Sequence, residues 1–88
     1  MQEKSWSVEI VIDEHENQTR ATARLQAEGR PGLTGTGLAR LNPADSDVPE
    51  IGDELSAARA LADLAHQLIE ATAADIERVT KKPPHLSA

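Results

Sequence analysis

The chain has no cysteine, no phenylalanine and no tyrosine, and Trp6 is its one aromatic residue. Without cysteine there can be no disulfide and no thiolate metal site, and a reducing cytosol is the compartment that fits. Without aromatics the largest contributors of buried apolar area are missing. Much of the 39% hydrophobic content is alanine, which removes little surface from water, so the core must be thin. No apolar run approaches the ~20 residues of a membrane span. The start, Met1 to Trp6, lacks the basic residues and apolar stretch of a signal peptide. Acidic side chains outnumber basic ones, and the net charge of −6 argues against non-specific binding to DNA, RNA or an anionic membrane.

What is present is periodicity. The 88 residues make one domain, 1–88. Trp6, Val8, Ile10 and Ile12 alternate with Ser7, Glu9, Val11 and Asp13, which predicts a half-buried strand over about 6–13. A polar turn from Glu14 to Gln18 contains Asn17, and a second strand follows over about 19–27. Ala21, Ala23, Leu25 and Ala27 face inward there, and Arg20, Thr22, Arg24 and Gln26 face outward. Matching the apolar faces sets Ile12 against Ala21, Ile10 against Ala23 and Val8 against Leu25. The same register sets Asp13 against Arg20 and Glu9 against Arg24, so opposite charges meet outside.

Gly29, Pro31 and Gly32 mark the next turn, and the third strand is expected over about 33–41. Gly35 and Gly37 stand where inward side chains belong, which means a close approach of another backbone: the helix, or a ligand or partner. Pro43 and Pro49 bracket a stiff loop. One long helix is expected over about 53–81, with Leu55, Ala58, Ala62, Ala65, Ile69, Thr72 and Ile76 as its core-facing stripe and Asp63 and Gln67 away from it. Asp47 with Glu50 resembles a capping box, and Asp53 is the alternative N-cap. Pro83 and Pro84 end the helix, leaving a loose tail over 83–88.

The chemistry-bearing residues do not assemble into a catalytic pattern. His15 sits in a polar turn, His66 has Glu70 four residues on and reads as half of a surface pair, and His85 is in the tail. No spacing of ligands predicts a metal site, and Gly32 to Gly37 lacks the ending of a phosphate loop. No enzyme and no cofactor are therefore expected. Arg20, Arg24 and Arg40 line the outer sheet face. They either pair with Glu9 and Asp13 or form a strip for RNA or another anion, although without aromatic stacking platforms.

The run Gly37-Leu38-Ala39-Arg40-Leu41-Asn42-Pro43-Ala44-Asp45, then Val48-Pro49-Glu50-Ile51-Gly52-Asp53-Glu54-Leu55, resembles a family of short actinobacterial proteins of unknown function. Asp13-Glu14-His15, Thr19-Arg20-Ala21 and Asp75-Ile76-Glu77 match as well. The resemblance implies an α+β fold: a three-stranded antiparallel β-meander packed on one long C-terminal helix, similar to part of a double-stranded-RNA-binding domain (dsRBD-like). It also implies a link to dormancy and hypoxia, and a dimer similar to ribosome hibernation factors. Double-stranded-RNA binders carry lysines where the final helix begins, and here Asp53 and Glu54 stand there. The first expectation is thus a non-enzymatic cytoplasmic homodimer acting through protein contacts in stress or dormancy, with Ile69, Ile76 and Val79 at the dimer contact. The alternative is a ribosome-associated, hibernation-type factor whose Arg20, Arg24 and Arg40 face RNA.

Overall fold

A computed structural model describes residues 2–30, 32–40 and 48–80. Strand β1 (Ser7–His15), strand β2 (Gln18–Gln26) and strand β3 (Thr34–Arg40) are followed by helix α1 (Pro49–Thr80). The strands form one antiparallel sheet in the order β1-β2-β3. The α+β fold expected from the sequence is the one observed.

The first hairpin pairs as the two matched patterns require: Val8 with Leu25, Glu9 with Arg24, Ile10 with Ala23, Ile12 with Ala21 and Asp13 with Arg20. Strand β1 runs two residues further than expected and pairs His15 with Gln18, so the turn shrinks to Glu16 and Asn17. The strained position is Glu16, at φ 58°, and not the expected turn former Asn17. Helix α1 begins at Pro49, four residues before the expected start. Proline fits the first helical position because its missing N–H would be unsatisfied there anyway. Asp53 therefore lies inside the helix and is not its cap. Asp47, Leu41, Lys81 and the tail with His85 lie outside the described residues.

Helix α1 runs antiparallel to β3 and lies across β2 and β3, barely reaching β1. Its approach is set by glycine. A Cβ on Gly35 would collide with backbone at Ala60 and Leu64, and one on Gly37 with Ser56 and Ala60. The helix thus takes the room the two glycines leave, as one of the two sequence readings held. So close an approach favours small side chains at the contact, with Leu64 as its one large residue. The residues turned to the sheet are Ser56, Ala60 and Leu64, packed with Ala21, Ala23 and Leu25.

The expected helix stripe is corrected by this contact. Leu55, Ala58, Ala62, Ala65 and Thr72 are exposed, and Ile69 and Ile76 are only half-buried. The strand face Trp6, Val8, Ile10 and Ile12 was expected in the core as well. It remains 46%, 42%, 37% and 39% exposed, because the helix sits too far over β3 to cover it.

Candidate functional site

Three features of the surface bear on function. The first is a seam between helix and sheet edge. Arg59 Nη1 donates to the Leu38 carbonyl at 2.6 Å, the Thr36 N–H donates to Asp63 Oδ2 at 2.9 Å, and Gln67 Nε2 donates to the Thr34 carbonyl at 2.8 Å. Gln67 Nε2 also reaches Asp63 Oδ2 at 3.2 Å, tying two of the three together. Every fourth helical residue meets every second strand residue. The repeats match because four helical residues rise about 6.0 Å and two strand residues about 6.8 Å. Asp63 and Gln67 thus face the sheet edge, contrary to the sequence expectation. The fitting signal was there, a polar i, i+4, i+8 row beside a glycine-bearing strand.

The second feature is the opposite edge. In an antiparallel ladder the N–H and C=O of one residue point to the same side, and successive residues alternate. Leu25 donates its N–H to the Leu33 carbonyl, so Leu25, Ala23 and Ala21 face β3. Arg24, Thr22 and Arg20 then bond Glu9, Val11 and Asp13 of β1. Val8, Ile10 and Ile12 are left with their backbone groups pointing out of the sheet. Their side chains share the uncovered apolar face. Leu61 lies on the flank of α1 away from Arg59 and Asp63, turned toward this strand, and is 41% exposed. Trp6 closes one end, with the Arg30 guanidinium 4.8 Å from its ring centroid.

The third feature is the outer sheet face. Arg20, Arg24 and Arg40 are all exposed on it. Arg24 lies between Glu9 and Thr34, Arg20 between Asp13 and Leu38, and Arg40 opposite Gln18. Neither Arg24 nor Arg20 closes an ion pair with its facing carboxylate. Among the described residues the ion pair is Arg78–Asp75 at 3.2 Å, and His66 Nε2 lies 2.9 Å from Glu70 Oε1, both on the exposed helix surface. The three arginines are spread along roughly 20 Å of strand, a strip and not a cluster.

The candidate dimer residues Ile69, Ile76 and Val79 lie past Leu68, the last helical residue packed on the core. Ile69 and Ile76 are half-buried and Val79 is exposed. His15 is exposed at the end of β1, and among the described residues no three histidine or acidic side chains gather as metal ligands would. Among the described residues no helix is long and apolar enough to cross a membrane.

This arrangement defines a small α+β protein with one sealed sheet edge, one bare apolar edge and an arginine-bearing outer face. The chain belongs to the Rv2632c-like family, whose profile matches residues 4–85. It is 58% identical over 81 residues to the uncharacterized protein Mb1767 of Mycobacterium bovis, spanning 92% of this chain and 85% of the relative. It is 52% identical over 80 residues to the uncharacterized protein Rv2632c of Mycobacterium tuberculosis, spanning 91% and 85%. The crystal structure of Rv2632c superposes with a TM-score of 0.84 at 51% identity, covering 94% of this chain and 98% of that one. Kinship therefore establishes the family and the fold, and the names of these relatives assign no activity.

Proposed function

We propose that the protein is non-enzymatic and works as a cytoplasmic homodimer through protein contacts, in the stress or dormancy physiology that the family resemblance implies. The observation that carries this reading is the uncovered apolar surface of Trp6, Val8, Ile10 and Ile12 beside Leu61. A thin alanine core gives the single chain little stability, and water is a poor neighbour for that face. Ile69, Ile76 and Val79 add apolar surface beyond the sheet. Sedimentation equilibrium at tens of micromolar is the test. A dimer is expected, and a monomer would remove the proposal.

A second reading is a ribosome-associated factor contacting RNA. The observation favouring it is that Arg20 and Arg24 leave their facing carboxylates unpaired and project outward with Arg40. Changing the three together to serine should leave the melting temperature within a few degrees, because exposed pairs contribute about 0–1 kcal/mol. Co-sedimentation with ribosomes that is lost in this variant and weakens steeply with salt would put this reading first. Absence of co-sedimentation by the parent protein at low salt would dismiss it.

A further inference from the structure

We propose that the bare edge of β1 is the dimer interface, and that two copies join β1 to β1 antiparallel about a two-fold axis at Ile10, making one six-stranded sheet. The inference rests on the homodimer reading above and names its geometry.

Edge strands invite pairing unless they are short, charged, bulged or covered. Strand β3 is covered by Arg59, Asp63 and Gln67. Strand β1 is nine residues long, and its inner face carries a charge only near its end, at Glu14; over Val8, Ile10 and Ile12 it has none of these protections and offers both free backbone groups and exposed apolar side chains. The two edges of one sheet are thus treated oppositely.

Charge selects the register in which two copies can pair. Pairing centred on Val11 sets Glu9 against Asp13 of the partner subunit, twice. Pairing centred on Glu9 sets two carboxylates face to face. Like charges directly opposite are destabilising. Centring on Ile12 spends Ile10 on Glu14 of the partner subunit, and centring on Val8 reduces the overlap to the first residues of the strand. Centred on Ile10, the strand sets Ile10 against itself and Val8 against Ile12 of the partner subunit. Outside, it sets Glu9 against Val11 of the partner subunit and Ser7 against Asp13 of the partner subunit. This register keeps Val8, Ile10 and Ile12 together, leaves Glu14 of the partner subunit opposite Trp6 just before the strand, and opposes no like charges. The outward backbone groups of Ile10 then exchange hydrogen bonds across the axis. Both helices lie on the same side of the joined sheet, with the β1 strands as an apolar floor between them.

The test uses the full chain. Ile10→Pro removes an N–H that β2 does not use, together with the isoleucine side chain, and proline is tolerated at such edge positions. The variant is expected to keep the far-ultraviolet circular dichroism of the parent and to sediment as a monomer where the parent is a dimer. Because the chain has no cysteine, Ile10→Cys gives an unambiguous second reading. Paired across the axis, the two Cα atoms lie about 5.5 Å apart, inside the roughly 4.4–6.8 Å that a disulfide spans. Mild oxidation should crosslink Ile10→Cys. Val8→Cys should crosslink only when mixed with Ile12→Cys. A dimeric parent with a dimeric Ile10→Pro variant and no Ile10→Cys crosslink overturns the β1 interface and leaves the homodimer standing. A monomeric parent overturns both.

Discussion

Gly37 decides which face of the helix meets the sheet. A methyl group there would run into the Ser56 and Ala60 backbone and the Arg59 Cβ at 2.7 Å, and backbone cannot swing aside as a flexible side chain can. Gly37→Ala is therefore expected to destabilise the fold by about 1–3 kcal/mol, the usual range for overpacking. A melting temperature equal to that of the parent would show that the helix stands further off. Sequence periodicity selected the stripe from Leu55 to Ile76 because the large apolar residues Leu55, Ile69 and Ile76 anchor it, although Ala58, Ala62 and Ala65 between them are small. The two glycines reverse the preference, since a backbone-to-backbone contact selects Ser56 and Ala60. The glycines themselves were legible as places of close approach; which helical residues would fill the space was not. Glu16 is the other residue under local constraint. With φ 58° at Glu16 and no positive φ at Asn17, the two-residue turn has the pattern of type II′, which prefers glycine first. Glu16→Gly gives the favoured Gly-Asn pair. Relief of about 1–2 kcal/mol of strain outweighs the ~0.5–1 kcal/mol of extra unfolded-state freedom, so a small rise in the denaturant midpoint is expected.

At the scale of elements, the hairpin was readable residue by residue because two independent patterns, apolar faces and opposed charges, agree on one pairing. The charges matter to the choice of register and not to its closure, since Glu9 and Arg24 stand opposite without forming an ion pair. The helix and β3 had no such doubled signal. Their alignment depends on Arg59, Asp63 and Gln67, polar residues that a search for apolar faces assigns to solvent. Asp63 is the central member, taking both the Thr36 N–H and the Gln67 amide. Asp63→Ala should cost about 1 kcal/mol, the net worth of a hydrogen bond at a partly wet site. It should also raise the hydrogen-exchange rate of the Thr36 amide selectively, with the amides of Ala21 and Ala23 unchanged. Uniform acceleration across the sheet would mean that Asp63 supports global stability and does not shield the edge.

For the whole molecule, a 32-residue helix spans about 48 Å, and the nine-residue strands about 30 Å. The excess lies at the C-terminal end, past Leu68, and carries Ile69, Ile76 and Val79. The mismatch of lengths was visible in the sequence; the bare face of β1 was not, because nothing in its alternation says that the helix will sit over β3 instead. If association covers these surfaces, folding is linked to protein concentration, and the melting temperature must rise as the chain is concentrated. Ile69 and Ile76 are already half-buried, so covering the remainder is worth about half of the ~1.5–3 kcal/mol of a full burial each, and Ile69→Asp or Ile76→Asp should weaken the dimer and lower the melting temperature together. Salt gives the sign that separates the two functional readings. Each chain carries a net charge of −6, so two copies repel one another, and screening by added salt should tighten the dimer. Contact of Arg20, Arg24 and Arg40 with RNA runs the other way, weakening as salt releases the counterion advantage. Sedimentation at about 0.05 and 0.5 M salt, where the screening length falls from over 10 Å to a few, is expected to show more dimer at the higher value. A dimer that dissociates with salt would place charge, not the apolar faces, at the interface.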